Sequence, residues 1–225
     1  MEKMSIAIDG PAGAGKSTIA KMAAKHFGLV YVDTGAIYRC VGLFALKNNV
    51  DTKDEMGVSA LLDGIDIELK YDAEGVQHMI LNGEDVSEEI RLPEVSIAAS
   101  NVSAMPPVRA KLLSMQRAMA QRYNVIMDGR DIGTVVLPNA GLKIFLTADT
   151  ERRAKRRYDE LTAKNVDTTY DEVLKDMRMR DENDTNRAAA PLRQAQDAVS
   201  VDTSDIGLEE SFDRIKEIIS CKLGL

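Results

Sequence analysis

The run Gly10-Pro11-Ala12-Gly13-Ala14-Gly15-Lys16-Ser17 fits the spacing G-x-x-x-x-G-K-S/T without a gap. Glycines in such a loop let consecutive backbone N–H groups point inward around phosphate oxygens, and a helix opening at Lys16 adds its positive end. Lys16 is suited to bridging β- and γ-phosphates, and the Ser17 hydroxyl to ligating Mg2+. The residues from Gly10 through Thr18 are therefore the expected binding site for a nucleoside triphosphate with Mg2+. A flexible Gly-Ala turn carrying a solvent-facing lysine is the bland alternative.

Two further strings stand where ligand groups gather in an open α/β sheet. Asp33-Thr34-Gly35-Ala36-Ile37-Tyr38-Arg39 joins a strand to a helix, and Asp128-Gly129-Arg130-Asp131 ends another strand. Asp128 could be a carboxylate near Mg2+, or it could simply cap the turn that follows. Arginines are dispersed beside loop and helix ends at positions 39, 109, 130, 153, 157, 180 and 187. Binding two phosphorylated molecules calls for several fixed cations, and guanidinium forks match phosphate well. Arg180 and Arg187 lie two helical turns apart, with Asp184 four residues after Arg180. They share a face if helix persists there; an exposed salt-bridged helix is the alternative. The basic run Arg152 to Arg157 reads either as a nucleic-acid patch or as a lid that closes arginines over a triphosphate. The acidic balance of the chain favours the lid. No base-reading Asn-Lys-x-Asp string and no Leu-Ser-Gly-Gly string occurs.

The elements that must position these groups follow from periodicity. Ser5–Asp9 is a short apolar run stopped by Gly10-Pro11, hence a buried strand. Helical spacing runs from Lys16 to about His26, a strand covers Leu29–Val32, and a second helix spans Gly35 to about Lys47. Strands alternating with helices imply βαβ units and a parallel sheet. The period then changes. Ile65, Ile67, Leu69 and Tyr71 alternate with charged residues, Asp72 to Gly75 reads as a turn, and Val76–Leu81 is followed by Asn82-Gly83, a two-residue hairpin signal. Helices are expected at Glu94–Ala104, Pro107–Arg122, Thr150–Lys164, Tyr170 to about Asp184 and Leu208–Leu223. Strands are expected at Val125–Met127, Leu142–Leu146 and Val199–Val201. The expected fold is α/β: a three-layer P-loop core with a central parallel sheet, a small antiparallel β insert and a short helical lid. Residues 1–63 and 91–225 form the core, with the lid at about 150–168, and residues 64–90 form the insert.

Composition bounds the function. The 225 residues carry 29 basic and 36 acidic side chains, a net charge of −7, which argues against a general nucleic-acid or membrane-surface binder. Two lone cysteines, Cys40 and Cys221, fit a reducing compartment. No apolar run reaches the roughly 18–20 residues of a membrane helix, and Met1 to Gly10 lacks the pattern of a signal peptide. A cytoplasmic, monomeric protein acting on small nucleotides, without nucleic acid or membrane, is expected.

The chain resembles the bacterial cytidylate kinases, nucleoside monophosphate kinases that phosphorylate CMP and dCMP. The resemblance is carried by Ile8 to Lys16, Asp33 to Arg39, Asn82 to Val86, Ile90-Arg91, Ala98-Ala99-Ser100, Asp128 to Val136 and Asn186 to Leu192, in the family's order. It implies that Ser100, Arg109 and Asp131 contact the cytosine ring. An acidic acceptor can take the exocyclic amino protons of cytosine, where uracil offers a carbonyl, and a site built around one hydrogen bond rejects the analogue lacking it. It further implies that Arg180 and Asp184 reach the ribose, and that Thr34, Tyr38, Arg39, Arg130 and Arg187 surround the acceptor's phosphate. Arg153 and Arg157 would belong to the lid.

The implied reaction is Mg-assisted, in-line transfer from ATP to CMP or dCMP, with Lys16, Arg130, Arg187, Arg153 and Arg157 meeting the transferring phosphoryl group. The acceptor oxygen is already anionic, so positioning and charge stabilisation suffice. Another small P-loop kinase and a nucleotide-dependent binding module are the competing readings.

Overall fold

The computed structural model describes residues 3–74 and 76–224. It divides the chain into two compact units: one holds the described residues up to Tyr31 and from Ala120 onward, the other Val32–Met119.

The first unit is built on parallel strands. β1 (Ser5–Asp9) lies between β6 (Val125–Gly129) and β7 (Leu142–Thr147). β2 (Val30–Asp33) and β8 (Val199–Asp202) complete the order β2-β6-β1-β7-β8. Parallel strands covered on both faces read as continuous apolar runs rather than alternating ones, and β1 and β6 do so: Ile6, Ala7, Ile8, Val125, Ile126 and Met127 are all fully buried. Helices α1 (Lys16–Phe27) and α8 (Leu208–Leu223) press Ile19, Ala20, Ala23, Ile215 and Ile219 onto this sheet. Burying each large aliphatic side chain contributes about 1.5–3 kcal/mol. The register sets Ile8 beside Asp128 and Asp9 beside Gly129. The polar residues that end both strands therefore emerge at one edge, where ligands bind in open α/β sheets.

Helices α6 (Thr150–Ala163) and α7 (Tyr170–Asn186) belong to the same unit. They share a small apolar cluster of Ala154, Val173 and Met177, with Tyr158 and Leu161 against it. A reciprocal cap opens α7: the Thr169 hydroxyl accepts from the Glu172 backbone, and the Glu172 carboxylate accepts from the Thr169 N–H. Among the described residues, no helix is long and apolar enough to cross a membrane.

In the second unit, α2 (Thr34–Lys47) packs along α4 (Pro93–Ser103), and α3 (Glu55–Leu61) and α5 (Pro106–Arg122) are the other helices that begin there. Gly42 permits the α2–α4 contact: a Cβ there would lie 2.9 Å from the Ala99 nitrogen and 3.0 Å from the Ala98 side chain. An antiparallel sheet of β3 (Ile67–Tyr71), β4 (Gln77–Leu81) and β5 (Glu84–Asp85) follows α3. Leu81 pairs with Glu84, so Asn82-Gly83 closes a two-residue turn as its composition predicts. Asp72 receives the Glu74 and Val76 N–H groups at the other turn, whose Gly75 lies outside the described residues.

The parallel sheet and the separate antiparallel sheet agree with the expected architecture. Four elements were not anticipated, short single turns at Leu62–Gly64 and Glu89–Arg91 among them. α3 is short and carries Gly57, and its start is set by the Asp54 cap rather than by periodicity. Ile132–Val136, a β-branched run that reads like a strand, winds instead into a single wide helical turn.

Gly42→Ala should destabilise the protein by about 1–3 kcal/mol in chemical denaturation, because the added methyl overfills a helix–helix contact. On the hairpin, His78 meets Asp85 at 2.8 Å and Asp72 at 3.3 Å, and these hydrogen bonds raise its pKa above 6.5, while the Ser87 hydroxyl and N–H, and then His78, bring Asp85 down to about 2. The charged His78 therefore stabilises the hairpin below about pH 6.5, and this contribution disappears as pH rises through the folded-state value. An NMR titration of His78 should show a midpoint above 6.5 that Asp85→Asn lowers.

Candidate active site

The phosphate loop leaves β1 at Gly10, whose φ is +149°. A Cβ at Gly10 would stand 1.9 Å from the Leu146 carbonyl oxygen, so β7 tolerates only a glycine where the loop turns away. The loop ends at Gly15, φ +87°, and α1 begins at Lys16. Lys16 is buried, and its Nζ donates to the Pro11 carbonyl at 2.7 Å, curling the side chain back over its own loop. Burial and the neighbouring Arg130 pull its pKa down to about 7, against the opposing carboxylates of Asp128, Asp184 and Asp9.

Ser17 donates its hydroxyl to Asp128 Oδ2 at 2.7 Å, and the Tyr31 hydroxyl donates to Asp128 Oδ1 at 2.9 Å. Asp128 thus reaches from the end of β6 to Ser17 at the start of α1. The donor chemistry fits Mg2+: a hydroxyl and a carboxylate are hard oxygen ligands, and Mg2+ commonly takes one or two carboxylates and leaves its other positions to phosphates and water. No cluster of three or more ligating His, Cys, Asp or Glu side chains occurs among the described residues.

Beyond β6, the cations meet carboxylates. Arg130 Nε donates to Asp184 Oδ2 at 2.7 Å, and Arg187 Nη1 lies 3.8 Å from Asp184 Oδ1. Arg187 Nη2 donates to Asp131 Oδ1 at 3.3 Å, and its Nε donates to the Ala190 carbonyl at 2.8 Å. Burial would raise the Asp184 pKa, but Arg130, Arg187 and Arg180 outweigh it and hold the carboxyl below its ordinary range. Burial likewise opposes the charge of Arg130, and Asp184 and Asp128 overcome it. Lys16, Asp128, Arg130, Asp131, Arg180, Asp184 and Arg187 thus form one electrostatic neighbourhood, although they come from α1, β6, the segment after it and the end of α7.

Arg153 is different. It is 3% exposed, and all five of its N–H donors are engaged. Nε donates to the Ala148 carbonyl at 2.7 Å, and the terminal nitrogens donate to the Ala12 carbonyl at 2.9 Å and to Thr150 Oγ1 at 2.7 Å. They also hold both carboxylate oxygens of Asp181, at 3.2 and 2.7 Å. Arg153 therefore pins the backbone of the phosphate loop to the start of α6 and to α7. Arg157, one turn further along α6, is half-buried and meets Glu160 at 3.1 Å.

The second unit carries its own set. Asp33 caps α2 by accepting the Ala36 N–H at 2.8 Å, and it receives Arg91 at 3.0 Å with Arg39 at 3.9 Å. Burial opposes its charge, yet the two arginines keep its pKa low. The Arg109 guanidinium lies over the Tyr38 ring, 5.6 Å from its centre, and donates to the Ser103 carbonyl. Thr34 is buried in the first turn of α2. Ser100 stands half-buried on α4, one residue beyond the Ala98–Ala99 contact with Gly42. Two groups carry roles that spacing alone does not announce: Asp9, a carboxylate ending an apolar strand, and Asp181, which nothing in the sequence distinguishes from its acidic neighbours.

Residues 6–221 match the family model described as cytidylate kinase. The chain belongs to the cytidylate kinase family. A relative of that name from Caldicellulosiruptor bescii is 51% identical over 97% of this chain and 96% of its own length. Another, from Clostridium acetobutylicum, is 49% identical over 98% of this chain and 100% of its own. A solved structure of an uncharacterised protein from Eubacterium ventriosum is similar in fold, with a TM-score of 0.53 at 15% identity, covering 97% of this chain and 99% of that one.

Replacing Arg153 by Lys should lower stability by about 1–3 kcal/mol in thermal or denaturant unfolding, because one ammonium keeps the charge but cannot satisfy the Asp181 carboxylate and both buried carbonyls together.

Proposed function

We propose that this protein transfers the γ-phosphoryl group of ATP to CMP or dCMP, giving ADP and CDP or dCDP. The observation that carries the reading is a phosphate loop with Lys16 and the Ser17–Asp128 pair at the carboxyl edge of a parallel sheet, in a chain whose relatives bear the name cytidylate kinase.

In the proposed reaction an anionic oxygen of the CMP phosphate attacks the γ-phosphorus. The bond from that phosphorus to the β,γ-bridging oxygen breaks, and its electron pair leaves with ADP. No general base is needed, so the work is positioning and charge stabilisation. The loop from Gly10 to Thr18 binds the donor phosphates through its backbone N–H groups. Lys16 exchanges the Pro11 carbonyl for phosphate oxygens, which are stronger acceptors. Ser17 and Asp128 would hold Mg2+, which when bound neutralises charge on the β- and γ-phosphates. Arg130 and Arg187 turn from Asp184 and Asp131 toward phosphate, where their charge is better matched.

Thr34, Tyr38 and Arg39 serve the acceptor phosphate, Ser100, Arg109 and Asp131 the cytosine, and Arg180 and Asp184 the ribose. Of the two arginines assigned to the lid, Arg157 is the one whose exposure and single-carboxylate partner suit a swing toward phosphate. Arg153 acts on the donor through the loop backbone that it holds. Exclusion of water by the lid protects ATP from hydrolysis. The activity is assigned to a cytoplasmic monomer acting on nucleotides rather than nucleic acid.

The test is a coupled ADP-release assay with ATP and Mg2+, offering CMP, dCMP, UMP and AMP in parallel. Fast release with CMP and dCMP, weak with UMP and absent with AMP is expected; preference for AMP or UMP would overturn the base assignment. Lys16→Ala should lower kcat on the order of 10²–10³-fold, the usual effect of removing one preorganised donor from a charged transition state. Asp131→Ala should raise the KM for CMP roughly 10–100-fold, since hydrogen bonds to charged groups are worth about 1.5–3 kcal/mol. Wild-type turnover by Lys16→Ala would overturn the mechanism.

A further inference from the structure

Asp9 is the last residue of β1 and immediately precedes the phosphate loop, yet its side chain turns toward another segment. It is 4% exposed. Its Oδ1 accepts the N–H of Ile132 and its Oδ2 accepts the N–H of Gly133, each at 2.7 Å. Those are the first two amides of the wide turn Ile132–Val136, and the first amides of a helical turn have no partner within it. The residue just before them is Asp131. Its carbonyl accepts the Val135 and Val136 N–H groups at 2.9 and 3.1 Å, so its backbone is part of the same turn. Gly133 leaves the space this needs: a Cβ there would lie 3.1 Å from the Lys143 side chain and 3.3 Å from Asp9 Oδ2.

We propose that Asp9 is a positioning residue for acceptor recognition, fixing through two backbone hydrogen bonds the turn on which Asp131 stands and tying it to the strand from which the phosphate loop springs. The proposal rests on the reading that Asp131 recognises cytosine. A carboxylate suits the task because both of its oxygens accept. An amide offers one acceptor and one donor, and the donor would face an N–H group. Burial pushes the Asp9 pKa up to about 6, with the Ile132 and Gly133 N–H groups opposing and nearby Asp131 adding to the rise. At neutral pH the side chain is thus mainly ionised and able to serve both amides.

The experiment measures Asp9→Asn, Asp131→Asn and the double variant for KM of CMP, KM of ATP and the CMP-over-UMP ratio of kcat/KM. Asp9→Asn is expected to raise the CMP KM about tenfold and to lower the CMP-over-UMP ratio, with the ATP KM within about twofold of the parent. In the Asp131→Asn background the same substitution should add little further loss, because both act through one contact. Gly133→Ala, which crowds the Asp9 carboxylate and the Lys143 side chain beside it without removing either, should shift the CMP constants in the same direction and keeps the test open should Asp9→Asn fail to fold. A CMP-over-UMP ratio that falls in Asp131→Asn but not in Asp9→Asn or Gly133→Ala overturns the positioning role. So does an ATP KM that rises as much as that of CMP, or full additivity in the double variant. An unchanged ratio in Asp131→Asn overturns the cytosine reading, and this proposal with it.

Discussion

Arg130 and Arg187 meet on the carboxylate of Asp184, at 2.7 and 3.8 Å, while Arg187 also reaches Asp131 at 3.3 Å. Placing two guanidinium groups and the buried Lys16 near one another carries a desolvation and repulsion cost that bare packing cannot offset. Carboxylates from other elements compensate it. Because those carboxylates are themselves proposed nucleotide contacts, the unliganded protein keeps its cations oriented by the same groups that would later bind sugar and base. Phosphate, as a richer acceptor, would exchange with them rather than assemble a site from solvated side chains, which is the sense in which such a site is preorganised.

The rest of the first unit serves that arrangement. The parallel register of β1 with β6 sets Asp9 beside Gly129 and Ile8 beside Asp128, which brings the phosphate loop and the Asp128–Asp131 segment to one edge. Arg153 then closes the loop from the other side, its buried fork holding the Ala12 carbonyl, the end of β7 and Asp181 together. Asp9 and Arg153 have in common that each satisfies, with a charged side chain, backbone groups of a segment proposed to bind nucleotide. A loop of small residues has no packing of its own, and buried hydrogen bonds supply the rigidity that side chains elsewhere supply.

The second unit uses a different device. Asp33 caps α2 while holding Arg91 at 3.0 Å and Arg39 at 3.9 Å, so one carboxylate orients both the helix and two of its nearby cations. The Gly42 contact fixes how α4, and therefore Ser100, lies along α2.

Much of this was legible in the order of residues. The phosphate loop, the alternation of short apolar runs with helical periods, the Asn82-Gly83 hairpin and the Asp128-to-Thr134 string are local patterns, and local patterns follow from backbone sterics and burial over a few residues. The helical turn at Ile132–Val136 was not, because its β-branched composition favours strand and the group that accepts its first amides is the side chain of Asp9, 123 residues away from Ile132. Nor did the charge pattern disclose that Arg153 is saturated while Arg157 is not, since both sit in one basic run and differ only in what α7 and the phosphate loop bring to them. Sequence thus determined which charged groups this protein has and on which elements they ride. The tertiary structure decided which carboxylate holds which cation or backbone amide, because partners 28, 54 or 123 residues apart are chosen by strand register and helix packing rather than by spacing along the chain.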